Sequence, residues 1–514
     1  MKFKTLIIIL STAFFIGSCK REFLDVNTNP NLLPTASPNF VLTNALNTTA
    51  SNKVTEDEIG AYFAGQWTQS SSYILRTEIF AYTFSNSEFN FYDPIYNNLE
   101  DYQFVIENAD ANGQPFLKGP ARVMKAYLFQ RLVDLYGNVP YSEALQGVKN
   151  LAPKLDDQKA VYEQLIPLLD SAILNLKANA FTGAFGSSDI VFGGNTTKWI
   201  RFANSLKLRI LLRQSRITGR DSYIITEIKR AIAEGTGFLG AGEDVGVNPG
   251  YLASSGKQNP LYDRFGYSET GATRALARFP RPTKYLLDVL IARNDTFRLK
   301  RKAYAKGGED PNNPGVSKGG ASTEIVSNYV GVPFGSGSGF TAPSTSYLGP
   351  DVFVKGQFNR PIYIMLASNS QFLLAEAAQR YGTAVGLPNT AQMYYEQGVK
   401  ESFRLEGGAN ASANATTLLT SGKPEADFTA SPDKLKAIWL QNWIALANFE
   451  GIEAWSEYRR TNYPPIPASA SASATQPPPV RLYYPNTELG SNEANIKAQG
   501  AVDVFKNRVF WDVD

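Results

Sequence analysis

Helical periodicity, interrupted by glycine and proline, constrains this chain more than anything else in it. Residues 121–136 carry apolar side chains at i, i+3, i+4 and i+7, the spacing that puts them on one face of an α-helix. Gly137 stops the run and Pro140 follows, a pairing typical of a helix end. Residues 157–178 repeat the pattern through Val161, Leu165, Leu169, Ala172, Ile173 and Leu176. Residues 197–217 repeat it again, with Arg and Lys expected on the outer face, and 221–234 form a shorter helix ending at Gly235. Periodicity returns over 361–406. There 372–382 and 391–403 have small residues where two helices would cross and large ones on the flanks, the pattern of a tetratricopeptide-type hairpin. Residues 431–460 add another long helical stretch. The expected fold is mostly α, a scaffold of tetratricopeptide-like helical hairpins.

The middle of the chain differs. Residues 235–360 are dense in Gly, Ser, Pro and Asn, which is loop chemistry. Aromatic residues punctuate these loops at Tyr251, Tyr262, Tyr267, Tyr329, Phe334, Phe340 and Tyr347. A structureless linker has no use for them, so a folded, loop-rich sub-domain inserted into the scaffold is expected. Residues 468–479 are a low-complexity surface loop, and the tail with Tyr483, Tyr484, Phe510 and Trp511 is expected to pack back onto the body.

The first residues read as an address. Lys2 and Lys4 precede an apolar run over 6–16, too short to span a bilayer. Ile16, Gly17 and Ser18 then lead into Cys19, the only cysteine among 514 residues. Small residues directly before that cysteine resemble a bacterial lipobox. In such lipoproteins the signal is cleaved before the cysteine and the thiol is acylated, so Cys19 is the expected lipidation site. The Asn- and Pro-rich stretch up to Pro38 suits an extended tether. The organisation is then 1–18 signal peptide, 19–38 tether, 39–234 N-terminal helical part, 235–360 loop-rich ligand-face sub-domain, and 361–514 C-terminal helical part and tail. No later apolar run approaches the ~18 residues a membrane span needs.

Composition closes off several functions. The chain has no histidine, which removes Ser-His-Asp and Cys-His catalysis, His general bases and His-ligated zinc. One cysteine allows neither an intrachain disulfide nor a Cys-based metal site. A net charge of +3 with scattered Lys and Arg gives no reason to expect nucleic acid as a partner, and argues mildly against a strongly anionic polysaccharide as ligand. Gly235, Gly237 and Gly240 spell the dinucleotide fingerprint, but follow a helix and not a strand, so a helix cap with a turn is the better reading. Glu450, Glu453 and Glu457 share one helical face; Arg459 and Arg460 lie within reach, and a solvated, ion-paired helix is expected instead of a carboxylate pair for glycoside cleavage. No catalytic residue, metal or cofactor is implied.

A set of segments resembles one family. Behind the lipobox come Phe23-Leu24-Asp25-Val26-Asn27 with Asn29-Pro30, then Gln66-Trp67-Thr68-Gln69. Leu132-Val133-Asp134-Leu135-Tyr136-Gly137-Asn138-Val139-Pro140-Tyr141 and the segment from Lys198-Trp199 to Leu208-Arg209 follow. Ala375-Glu376-Ala377 and Glu453-Ala454-Trp455-Ser456-Glu457-Tyr458-Arg459-Arg460 complete the series. In this order, spanning nearly the whole chain, they resemble the SusD/RagB family of nutrient-binding outer-membrane lipoproteins. The resemblance implies four tetratricopeptide-like hairpins carrying an irregular face. It implies capture of glycans, or in some members peptides, at the cell surface, without turnover. It also implies a partner, a SusC-like TonB-dependent β-barrel transporter capped by the lipoprotein. The matching segments look like scaffold and carry over no ligand residue.

Sugars present apolar C–H faces that stack on exposed rings, so the ligand candidates are aromatic: Trp67 and Tyr73 beside the serines at 70–72, Tyr92, and the loop residues Tyr267, Tyr329 and Tyr347. Two other functions remain open. A glycoside hydrolase would need two acids facing each other across a cleft. An accessory scaffold of the transporter, with no ligand of its own, would need the loop aromatics to be buried.

Overall fold

The computed structural model describes residues 36–514 except 180, 182–185, 187, 311–312, 409 and 514. The expected signal peptide, Cys19, most of the tether and the segments at 23–27 and 29–30 lie outside the described residues. From Pro38 to Asp514 the chain is one compact unit.

Helices dominate it, and those of nine or more residues are numbered here. They are α1 (Pro38–Phe63), α2 (Tyr92–Asn108), α3 (Lys118–Tyr136), α4 (Gln158–Ala178), α5 (Thr196–Arg213) and α6 (Asp221–Ala233). After the loop-rich middle, which holds α7 (Lys284–Ala292), come α8 (Ala367–Tyr381), α9 (Ala391–Glu406), α10 (Ala411–Leu419), α11 (Lys434–Leu446) and α12 (Gly451–Thr461). Local chemistry sets many ends. Asp157, Asn195, Thr283, Thr390 and Asp433 each accept a backbone N–H from the first turn of α4, α5, α7, α9 and α11. Gly137, at φ 77°, ends α3 where the sequence places the stop.

The helices pack as neighbours in the chain: α1 with α2, α3 with α4, α5 with α6, α8 with α9 and α11 with α12. α12 returns to lie on α1, and α8 bridges α5 and α11. This is the expected mostly α, tetratricopeptide-like scaffold. Where α1 and α12 meet, Gly60 and Gly451 leave no room for a side chain, since a Cβ on either would fall inside the other's backbone. Among the described residues the strands form two-stranded antiparallel ribbons: β1 (Trp67–Gln69) with β3 (Pro280–Pro282), β2 (Val245–Val247) with β6 (Ile362–Met365), and β4 (Glu309–Asp310) with β5 (Asn313–Ser317).

Three local expectations are corrected. The stretch 431–460 is two helices, because the chain turns at Ala447 and Asn448, the latter at φ 73°. Three of the five basic residues of α5 do not face outward: Lys207, Arg209 and Arg213 are buried, while Lys198 and Arg201 are partly exposed. The carboxylates of α12 are ion-paired but not solvated, since Glu450, Glu453 and Glu457 are buried with Arg459 and Arg460. One cause lies behind the last two. α5 and α12 are central helices covered on more than one face, so their charged sides meet each other in place of water.

That meeting forms a buried ionic network. Arg213 donates to Glu453 Oε2 at 2.7 Å and to Glu457, and lies 3.8 Å from Asp134 of α3. Arg209 reaches Glu450 Oε2 at 3.1 Å and Asn369 of α8 at 2.9 Å. Arg460 clasps both oxygens of Glu376 at 2.7 Å each and Glu457 Oε2 at 2.6 Å. Burial opposes the charge of Glu376, but Arg460 and Arg380 overcome it and draw the carboxyl down to about 2. The tail joins in, with Trp511 Nε1 donating to Asp134 Oδ1 at 2.9 Å.

A second buried group is unevenly charged. Lys302 stands 3.0 Å from Asp351 Oδ2 and 2.8 Å from Glu406 Oε1, and donates to the Ala447 carbonyl at 2.9 Å. Burial raises Glu406 to about 7, against the pull of Lys302 and with the help of Asp351.

Two outcomes follow. Arg213→Ala leaves buried Glu453 with only Arg209, 3.4 Å away, and takes one of two arginines from Glu457, and is expected to cost about 3–5 kcal/mol, read as a lowered midpoint in urea unfolding. Folded Glu406 keeps a proton that the unfolded chain has released between its ordinary range and about 7. The folded state therefore binds more protons in that window, and stability falls as pH rises through it. Glu406→Gln should remove that slope in melting temperature between pH 5 and 7; an unchanged slope would place the proton elsewhere.

Candidate functional site

The loop-rich face is built on the β1–β3 ribbon. Prolines at 280 and 282 hold β3 extended, with Arg281 between them opposite Thr68. The ribbon is anchored to the scaffold from below. Gln66 Nε2 donates to the Trp443 carbonyl at 2.9 Å, and Thr283 Oγ1 donates to the Gly65 carbonyl at 2.7 Å.

Past β1, residues 70–76 form a braced loop. Gln69 Oε1 accepts the Leu75 N–H at 2.7 Å, closing the loop on itself. Ser71 exchanges two hydrogen bonds with the Phe340 backbone at 2.8 and 3.1 Å, and Ser72 Oγ accepts the Ala342 N–H at 3.0 Å. The serines thus stitch two distant loops together. The tip carries Tyr73, Ile74 and Leu75 outward, 37%, 41% and 47% exposed.

Rings gather beside that tip. Tyr73 meets Phe279 edge to face at 6.0 Å, and the Arg278 guanidinium lies 5.6 Å from the Tyr73 centroid. Tyr347 is half-buried, with the Arg281 guanidinium 3.6 Å from its ring centroid. Gly308 lies under that ring: a Cβ there would sit 2.7 Å from Tyr347 Cδ2, so only glycine lets the backbone pass. Tyr73 and Tyr347 both lie within electrostatic reach of Arg281, the central residue of β3. The result is a shallow aromatic surface with polar serines and arginines around it, able to stack on apolar faces and hydrogen-bond hydroxyls.

Of the sequence-predicted residues, only Tyr73 and Tyr347 belong to this surface. Trp67 is buried at β1, its Nε1 donating to Asn448 Oδ1 at 2.8 Å and its ring edge-on to Phe265 at 5.6 Å. Tyr92 is buried at the start of α2, its ring 4.6 Å from Tyr96, on the wall of a separate 320 Å³ cleft. Tyr267 is buried with its hydroxyl on Glu309. Tyr329 is buried and donates to the Thr323 carbonyl at 3.1 Å. Trp67, Tyr267 and Tyr329 each found a polar partner for the ring's tip, so nothing forces them to the surface. Sequence reasoning missed Arg278, Phe279 and Arg281, although the run Arg278-Phe279-Pro280-Arg281-Pro282 puts two cations and a ring on a stiff, extended segment.

Other spaces fit a ligand less well. A 40 Å³ cavity between Trp67, Tyr262, Asn448 and Asp351 has room for water only. A 550 Å³ groove beside α1 is walled by the ion pairs Arg264–Glu58 and Arg274–Asp263 and has no exposed ring. Among the described residues no group of three or more acidic side chains stands in an arrangement that holds a metal. The three glutamates of α12 are each engaged by arginine or backbone N–H, which leaves no free carboxylate pair there.

The likeness to known proteins agrees with this architecture. A SusD homologue from Bacteroides uniformis superposes with a TM-score of 0.70 at 23% identity, covering 92% of this chain and 99% of its own. A SusD/RagB family protein from Bacteroides thetaiotaomicron gives 0.70 at 21%, covering 93% and 99%. A chitin-binding SusD homologue from Flavobacterium johnsoniae gives 0.70 at 21%, covering 92% and 99%. At these identities the likeness establishes the fold. A comparison with curated proteins returns no match. The sequence profile of a family described as starch-binding and associating with the outer membrane matches residues 30–485. With that profile spanning most of its length, the chain belongs to the SusD-like family.

Proposed function

We propose that this protein captures a nutrient, a glycan before a peptide, on the Tyr73–Phe279–Tyr347 surface, and does not cleave it. The observation that carries this reading is the exposed tyrosine on a loop braced by Gln69, Ser71 and Ser72, beside two further rings. A ring held out of the core at the tip of a stiffened loop has its apolar face ready before any ligand arrives. Chitin binding by the Flavobacterium johnsoniae relative supports a sugar as ligand. The surface takes residues from the N-terminal helical part and from the loop-rich 235–360 sub-domain, which we read as the ligand-bearing unit.

Membership of an outer-membrane family supports the rest of the proposal. Acyl chains on Cys19 hold the protein to the outer membrane, facing outward, and two or more chains are needed because one binds only marginally. Its partner is a SusC-like TonB-dependent β-barrel that takes the nutrient onward. No helix among the described residues is long and apolar enough to cross a membrane.

A second reading, an accessory scaffold of the transporter without its own ligand, is favoured by one observation. Tyr251, Tyr262, Tyr267, Tyr329 and Phe334 are all buried. Those rings serve the core of the loop-rich part, and the remaining surface is small.

A glycan and peptide array followed by calorimetry separates the two. Binding without turnover, weakened about fivefold to tenfold by Tyr73→Ala, is the expected result. Released product would make the protein an enzyme, and silence across the array would favour the scaffold. Cys19→Ser should move the protein from the membrane fraction to the soluble fraction; retention in the membrane would mean another anchor.

A further inference from the structure

The whole-chain charge of +3 conceals an imbalance around this surface. Arg281 is fully buried. Its Nη1 donates to its neighbour's carbonyl at Pro280, 2.8 Å away, and its Nε to Thr345 Oγ1 at 3.3 Å. Its Nη2 has no hydrogen-bond partner, and no carboxylate lies within ion-pairing distance among the described residues. Five buried arginines of the scaffold differ: Arg131, Arg209, Arg213, Arg298 and Arg460 each rest on an acid. Arg459 and Arg481 resemble Arg281 in being buried against carbonyls and rings, but they lie within the scaffold and away from the aromatic surface. Burial without a counter-charge lowers Arg281 to about 10, which leaves it cationic at neutral pH. Arg278, beside Tyr73, is exposed and makes no ion pair among the described residues. Arg76, at the foot of the same loop, has only Glu78 at 3.8 Å.

A buried cation without a counter-ion is costly, and structures that keep one usually meet the charge elsewhere. Here it lies beneath the half-exposed Tyr347 ring, where its field reaches a ligand stacked on that ring with little water to screen it. A guanidinium also suits the two-pronged geometry of an acid group.

We propose that the nutrient taken at this surface is an acidic oligosaccharide, its sugar rings stacked on Tyr73 and Tyr347 and a carboxylate or sulfate ester paired with Arg278. Arg281 is a positioning residue, orienting Tyr347 and supplying fixed positive charge behind it. This inference rests on the nutrient-capture reading above and deepens it by naming the ligand's charge.

Calorimetry on the purified protein tests it with three probes of matched length: an oligogalacturonate, a sulfated galactan oligomer and a neutral galactan oligomer. One of the acidic probes should bind about tenfold more tightly than the neutral one, weakening as salt is raised, and the pair identifies which acid group is meant. Arg278→Ala, at an exposed position, should erase that preference, so that the acidic and neutral probes bind with equal affinity. Arg281→Met, of similar volume, should reduce the preference without lowering the melting temperature by more than a few degrees. If it does not fold, Arg278→Ala decides alone. Equal affinity for the neutral probe overturns the inference and leaves nutrient capture standing. An acidic preference that survives Arg278→Ala overturns it by placing the ligand elsewhere. Binding of peptides but of no glycan overturns both the inference and the glycan reading.

Discussion

Arg213 and its neighbours are the interaction on which the rest of the structure depends. α3, α5, α8 and α12 each send charged side chains to one dry junction, and none can be satisfied there without the others. Such pairs add little net stability over apolar packing, but breaking one leaves a buried charge that the protein cannot solvate. Their effect is on register. A turn's slip of α12 would separate Glu453 and Glu457 from Arg213 and Arg460 from Glu376 together. Gly60 and Gly451 impose the same demand sterically, since α1 and α12 approach closely only where neither has a side chain.

From that junction rigidity passes to the aromatic surface through few links. α11 follows the network into Trp443, whose indole donates to the Ala64 carbonyl at 2.9 Å, and whose own carbonyl accepts from Gln66. The turn between α11 and α12 supplies Asn448, which accepts from Trp67. The ribbon of β1 and β3 is thereby fixed to the helices before the 70–76 loop begins. The loop needs only its own glutamine and serines to hold Tyr73 outward. Trp67 and Tyr73, six residues apart, therefore do opposite jobs, one as an anchor and the other as a contact.

Much of the fold was legible in the sequence. The spacing in 121–136 and 157–178 marks α3 and α4, and Gly137 marks an end, because apolar periodicity and capping act within a turn or two. The order of short segments from Gln66 to Arg460 was legible as a family pattern for the same reason, and most of those residues are scaffold: Trp199, Glu376 and Trp455 are all buried. The site was legible only in type. Aromatic residues among glycines and serines announced a recognition surface, yet Tyr267 and Tyr329 went inward once Glu309 and the Thr323 carbonyl satisfied their hydroxyls.

The sequence by itself determined where the helices lie, where they end, which chemistries lacking histidine and paired cysteine are closed, and to which family pattern the chain conforms. Those properties depend on neighbours along the chain or on composition. The tertiary structure alone decided which charges are dry and which rings are wet. Arg209 and Arg213 look like solvent-facing residues until α12 covers them. Arg281 looks like any loop arginine until it proves to be fully buried with no ion pair among the described residues. Burial and charge balance depend on what packs across a face from distant parts of the chain, and no local spacing encodes that.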